Sequence, residues 1–263
     1  MSYNGSGIMK IIKIHACQSD FIRYPFLQGN YGFFMYFCKR IKTTMNIIIE
    51  NIIKNAAPDL KVVTIEADVD NAATSPGLRE ELLLLGEKIK AAYRIDEINK
   101  RPGIAATRKA YKALGKEPNR YRPSSEALCR RIVKDMGLYF INNIVDLINV
   151  VSIASGYSIG GFDADKIEGD TLSLGAGCEG EPFEAIGRGP LNIACMPVYR
   201  DAIGGIGTPT SDNERTKPGI DTRRLLMCIN IYGEEMPVDD TVALSRRLLE
   251  QYCGARNIIV KSY

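Results

Sequence analysis

The sequence predicts a compact α+β domain whose helices gather against sheets. Three observations carry that expectation. Apolar residues recur at helical spacing between residues 75 and 155, and Gly-punctuated strand-like runs follow from Tyr157 to about Tyr232. The composition, 45% hydrophobic and 25% charged over 263 residues, belongs to a chain able to bury a core. No apolar run approaches the roughly 18–20 residues of a membrane span, which excludes an integral membrane protein of the helical kind.

The first 44 residues differ from the rest. They hold nine of the 21 Phe and Tyr residues and six Lys and Arg against Asp20 alone, a charge of +5. The remaining chain has 28 basic and 30 acidic residues, or −2, so the overall +3 is no sign of a general nucleic-acid binder. Pro25, Gly29 and Asn30 interrupt any period in this segment. Met45 reads as the natural start, and residues 1–44 as an extension without order. The one histidine, His15, lies there.

From Met45 the elements follow in sequence. Asn46–Ile49 and Leu60–Ala67 read as strands around a short helix ending near Pro58. Ser75-Pro76 is a helix start, because serine caps orphan amides and proline suits the first turn. Leu78, Leu82, Leu85, Ile89 and Ala92 then form one apolar face. A helix covers about Ile104–Leu114, with Lys109 and Lys112 outside. After the break at Pro118–Pro123, Ser124 reads as a cap and Glu126 as a first-turn charge. Leu128, Ile132 and Met136 are expected inside, and Arg130, Arg131 and Lys134 outside. Asn143–Ser155 is apolar nearly all round, the pattern of a buried helix. Strands are expected at Thr171–Leu174, Ile193–Tyr199 and Leu225–Ile231. Pro237 opens a last helix that Gly254 stops, leaving residues 255–263 as a tail.

Several motifs dissolve on inspection. Gly175-Ala-Gly177-Cys-Glu-Gly180 has dinucleotide spacing, but Pro182, Gly187, Gly189 and Pro190 prevent the helix that must hold the pyrophosphate. Asp163, Asp165, Glu168 and Asp170 lack the oxygen spacing of a calcium loop and read as a turn. Seven cysteines without a CxxC pair form neither a disulfide framework nor a zinc site; they suit a reducing cytosol and read as small buried residues. A histidine-based triad has no base beyond residue 44. No metal or cofactor is expected.

Two features remain. Asp146, Asn149 and Ser152, at i, i+3 and i+6, put a polar stripe on the apolar helix. Such groups are costly to bury unless satisfied, so the stripe either anchors a neighbouring backbone or lines a ligand pocket. Arg120, Arg122, Arg130, Arg131 and Lys134 form a basic cluster, either a solvated helix face or a phosphate-binding strip.

Pro123-Ser-Ser-Glu-Ala-Leu-Cys-Arg-Arg-Ile-Val-Lys134, then Val145-Asp-x-x-Asn149, Gly156-x-x-x-x-x-Phe162-Asp-x-Asp-Lys-Ile167, Gly180-Glu-Pro-Phe183 and Asp201 through Gly205 stand in a familiar order. Over about Arg120–Tyr232 the chain resembles the B3/B4 domain of the phenylalanyl-tRNA synthetase beta subunit, in free-standing form. The resemblance implies a three-layer β/β/α domain over residues 120–254, with residues 45–119 as an N-terminal αβ extension packed on it. It also implies a pocket beside the buried helix that takes the mischarged 3′ end of tRNA and hydrolyses tyrosine from it. The synthetase's catalytic and anticodon-binding modules are absent, so this chain cannot by itself charge tRNA. The resemblance puts Asn149, Gly160, Gly204, Gly205 and Cys228 at pocket positions, with Asp146 and Asp163 in supporting roles.

Three positions depart from the family pattern. Gly160 stands for the pocket histidine, Ile148 for a hydroxyl-bearing neighbour of the asparagine, and Cys228 for the glutamate that recognises the tyrosine hydroxyl. Without that acceptor, recognition of a phenol is lost. Two functions follow as expectations: a cytoplasmic protein binding tRNA or an aminoacyl-tRNA 3′ end, including an editing relative, or a small-molecule or amino-acid-binding protein or hydrolase that kept the fold without tRNA. Neither DNA nor a membrane is an expected partner.

Overall fold

The computed structural model describes residues 44–263, and the expectations placed on residues 1–43 lie outside them. The elements run β1 (Asn46–Ile49), α1 (Asn51–Ala56), β2 (Lys61–Asp68), α2 (Pro76–Ala92), α3 (Pro102–Ala113), α4 (Ser124–Val133), α5 (Asn143–Ser155), β3 (Ser158–Asp163), β4 (Thr171–Ala176), β5 (Glu184–Ala185), β6 (Gly189–Pro190), β7 (Pro197–Arg200), β8 (Gly205–Gly207), β9 (Arg224–Ile231), α6 (Val238–Cys253) and β10 (Arg256–Ser262). This is an α+β fold with two four-stranded sheets, ordered β10-β2-β9-β3 and β1-β4-β7-β8, and a small β5-β6 hairpin.

Strand alternation sorts the two cores. On β9, Leu225, Met227, Ile229 and Ile231 join Val63 and Ile65 of β2 against the helices. Leu226 and Cys228 point the other way and meet Ile47, Leu172, Leu174 and Tyr199 of the second sheet. A side-chain period of two therefore gives one central sheet two buried faces, and the layers stack as sheet, sheet, helices. The stretches 45–119 and 120–254 share both sheets: β2 pairs with β9, and β1 pairs in parallel with β4.

The helices are placed largely as their sequences dictate. Ser75 accepts the Leu78 amide at the start of α2, and its Leu78, Leu82 and Ile89 are buried. Gly254 takes a left-handed conformation (φ 51°) that ends α6, where a β-carbon would be strained. Helix α5 is buried on most sides, with α2, α4 and α6 around it and the β3 strand beneath.

Several expectations are corrected. The segment read as a tail is β10, which pairs antiparallel with β2 and closes that sheet's edge. The strand expected from Ile193 begins only at Pro197, because residues 191–196 form a turn against the small third core. Pro123, not Ser124, occupies the N-cap of α4, and no side chain caps that helix. Met136 is 58% exposed, because Lys134 already ends the helix and Asp135 turns left-handed (φ 55°). Ala92, at the end of α2, faces solvent. Cys129, Cys228 and Cys253 are buried free thiols, but Cys178 and Cys195 are exposed on turns.

Candidate functional site

Helix α5 carries the polar stripe, and its three members have different surroundings. Asn142 caps the helix by accepting the Val145 amide at 2.9 Å. Asp146, fully buried one turn in, accepts the Thr74 hydroxyl at 2.5 Å and the Ile141 amide at 3.2 Å. It therefore ties the start of α5 to the loop before α2. Burial pushes its carboxyl above the usual range, partly offset by those donors. Ser152 donates to the Tyr157 carbonyl at 2.7 Å. Asn149 lies between them on the helix and faces a hollow.

That hollow is a cleft of about 140 Å³ between α5, β3, the residues after β8 and the start of α4. Val145, Ile148, Ile159, Ile186 and Pro218 make its apolar walls; Ser124, Asn149, Ser152, Thr208, Ser211 and Asp212 supply polar groups. Ser152 and Thr208 are already committed to backbone carbonyls. The Ser124 hydroxyl, the Asn149 amide and Asp212 Oδ1 make no hydrogen bond among the described residues. The cleft is smaller than the ~300–1,000 Å³ of pockets that enclose drug-sized ligands, so it suits one small group of a larger molecule.

Of the five expected pocket residues, only Asn149 lines this cleft. Gly160 lies opposite Cys228 in the β3–β9 register, and both face the inter-sheet core. Its neighbour Gly161 is the residue on the cleft side, packed so close to Ile148 that a β-carbon would collide with the Ile148 side chain. Gly204 and Gly205 stand at the β7–β8 turn, where Asp201 accepts the Gly204 amide and Gly205 packs on Phe183. Asp163 accepts the Thr222 hydroxyl at 2.8 Å and the Asp165 amide at 3.1 Å, and so shapes a turn away from the cleft.

Asp212 is the site residue that sequence reasoning missed. It pairs as an isolated bridge with Gly207, and its Oδ2 accepts the Gly161 amide at 3.0 Å. Only a bare Gly207 leaves room: a β-carbon there would sit 2.8 Å from Asp212 Oδ1 and 2.6 Å from the Phe162 ring. Burial pushes the Asp212 carboxyl up to about 7, with the Gly161 amide pulling weakly the other way.

The basic cluster lines a separate groove of about 300 Å³, where Arg120, Arg122, Arg130, Arg131 and Lys134 are joined by Arg188 from the β5–β6 turn. Sequence reasoning omitted Arg188 because it lies far along the chain. These cations are not equivalent. Glu126, expected as a first-turn charge, is fully buried and holds Arg108 at 2.8 Å and Arg130 at 2.7 Å. Arg122 is 3.9 Å from the same carboxylate. Arg131 lies over the Tyr139 ring and Arg120 over that of Tyr121. Arg120, Arg131, Lys134 and Arg188 have no carboxylate partner among the described residues.

Neighbouring stretches of chain line the cleft and the groove. Arg122 lines one and Ser124 the other, so their α-carbons are at most about 7 Å apart. Ile186 and Arg188 repeat the arrangement on the β5–β6 turn.

Residues 106–236 match the model of the B3/4 domain, which the chain resembles over that stretch. Among solved structures, an N-terminal fragment of the phenylalanyl-tRNA synthetase beta subunit from Pyrococcus horikoshii matches at 13% identity and a TM-score of 0.43. The match covers 83% of this chain and 51% of that one, so the chain spans about half the fragment's length. No curated protein matches. Among the described residues no helix is long and apolar enough to cross a membrane, and no cluster of His, Cys, Asp or Glu is arranged to hold a metal ion.

Proposed function

We propose that this protein binds the aminoacylated 3′ end of tRNA, with the esterified amino acid in the α5 cleft and the acceptor phosphates along the Arg120–Lys134 groove. The reading is carried by one observation: a cleft sized for a single side chain is lined, at Ser124 and Ile186, two residues along the chain from Arg122 and Arg188 of a groove in which four cations have no carboxylate partner among the described residues. Phosphate contacts give affinity without sequence readout, and a small mixed apolar and polar hollow suits a terminal group. The B3/4 domain match supports the same reading. The apolar walls at Val145, Ile148 and Ile159 favour an apolar over a strongly polar side chain.

The test is retention of tRNA by the full chain across a salt series. Four phosphate contacts would give a log–log slope of about −3, each contributing about 0.7–0.9. Reversing Arg120 and Arg188 to Glu should abolish retention near physiological salt while leaving the melting temperature unchanged. Failure to retain any tRNA at low salt would reject this reading and favour a free amino acid or another small molecule as the ligand.

A further inference from the structure

The loop that joins α4 to α5 holds one aromatic ring outside the fold. Leu138 and Phe140 pack against the helical core, and the Arg79 guanidinium lies 4.4 Å from the centre of the Phe140 ring. Tyr139, between them, joins none of the three cores and is 71% exposed, more than any other large apolar side chain among the described residues. The loop that presents it is tied down on both sides. Arg131 Nε donates to the Gly137 carbonyl at 3.2 Å and its Nη2 to the Met136 carbonyl at 3.3 Å, while Asp146 accepts the Ile141 amide at 3.2 Å. The same Arg131 guanidinium lies 4.6 Å from the centre of the Tyr139 ring. One face of the ring therefore rests on a fixed cation, and the exposed remainder faces solvent.

Arg131 also lines the basic groove, with Met136 beside it, so this ring stands at the groove's edge. Tyr121, the other ring near the groove with cations over it, carries Lys116 and Arg120 but is packed against the third core. We propose that Tyr139 is a stacking platform for an unpaired base of the tRNA 3′ end, with Arg131 backing the ring. The inference rests on the tRNA-end reading above and adds a base subsite to it.

Proteins that hold single-stranded nucleic acid combine a cationic track for the phosphates with aromatic rings for the bases, and the stacking tolerates any base because each has a π-face. Here one side chain, Arg131, belongs to both parts. Arg131 stands seven residues along α4 from Ser124 at the cleft, about 10 Å of helix rise, so the stacked base is one close to the esterified end. The charge around the ring favours this occupant over a protein. Arg120, Arg131, Lys134 and Arg188 line the groove beside it without a carboxylate partner among the described residues, and a phosphate chain complements that pattern.

The experiment measures retention of uncharged tRNA by the full chain, with the tRNA either intact or trimmed of its unpaired 3′ nucleotides. Tyr139→Ala should weaken retention of intact tRNA by about 5- to 150-fold, the range for one stacked base, with the melting temperature unchanged. Its salt slope should stay within one phosphate contact, about 0.7–0.9, of the parent's, because no phosphate contact is removed. Tyr139→Phe should bind as the parent does. The effects of trimming and of Tyr139→Ala should not add, since both remove the same contact. The chain has no tryptophan, so Tyr139→Trp supplies a single reporter whose fluorescence intact tRNA should quench and trimmed tRNA should not. Retention by Tyr139→Ala within twofold of the parent would overturn the stacking assignment and leave the binding reading intact. So would equal quenching by trimmed tRNA, or self-association of the parent that Tyr139→Ala abolishes without loss of tRNA, which would give this face to a second copy. Failure of the parent to retain tRNA at all would remove the binding reading and the base subsite with it.

Discussion

Replacing Glu126 tests whether the basic groove is part of the fold's framework or a surface decoration. Its carboxylate is fully buried and divides between Arg108 at 2.8 Å and Arg130 at 2.7 Å. Removing one partner of a buried ion pair typically costs about 3–5 kcal/mol, because the remaining charge stays desolvated. Here the loss falls at the lower end. Arg108 keeps the Pro118 carbonyl at 3.1 Å and Asn119 Oδ1 at 2.6 Å, and Arg130 keeps the Ile95 carbonyl. Glu126→Gln should therefore cost about 3 kcal/mol. At about 2–4 °C per kcal/mol for a unit of this size, the melting temperature should fall by about 6–12 °C. Arg122→Ala is the control: its guanidinium is half exposed and 3.9 Å from Glu126, so the loss should stay below about 1 kcal/mol. Urea and thermal melts of the three proteins decide the matter. Equal stability of the Glu126 variant and the parent would show that the three-residue cluster contributes nothing, and that the groove's shape does not depend on it.

Two further variants probe the cleft. Asp146→Ala should cost about 1–3 kcal/mol by leaving the Thr74 hydroxyl and Ile141 amide unpaired, without altering tRNA retention. Asn149→Ala should do the reverse, weakening retention of charged over uncharged tRNA with little change in melting. Asp212→Asn should alter the pH dependence of stability in a fixed direction. A carboxyl raised from 3.8 to about 7 on folding is fully tolerated below pH 4, and that stability is lost as pH rises through 7. The asparagine variant should therefore gain on the parent between pH 4 and pH 8, and a difference in melting temperature that does not move with pH would refute the ionisation penalty.

Much of the helical layer was legible because its signals are local. A serine and proline at 75–76, a left-handed glycine at 254 and an apolar cylinder at 143–155 each act within one or two turns. The misplaced pieces depend on partners distant in sequence. Arg256–Ser262 reads as a tail because the strand is exposed over part of its length and has no clean alternation; pairing with β2 makes it a strand. Glu126 reads as a helix-terminus charge because Arg108, from another helix, is not visible in its own segment.

The site shows the same division more sharply. Asn149 and the Arg120–Lys134 cluster sit on helices, where spacing fixes the facing side, and both line hollows. On strands one residue of register exchanges the two faces, so Gly160 and Cys228 fall between the sheets while Gly161 takes the cleft side. Asp212 stands in Thr208–Glu214, an irregular stretch with neither a period of 2 nor one of 3.6, so no pattern argument points to it. The available signal was chemical: an aspartate among small hydroxyl residues, just beyond a glycine-rich strand with room for it. Loops held by rigid elements commonly carry function for this reason. In this chain the helices place the donors, while the loop after β8 delivers Asp212, the carboxylate residue among the cleft's described lining.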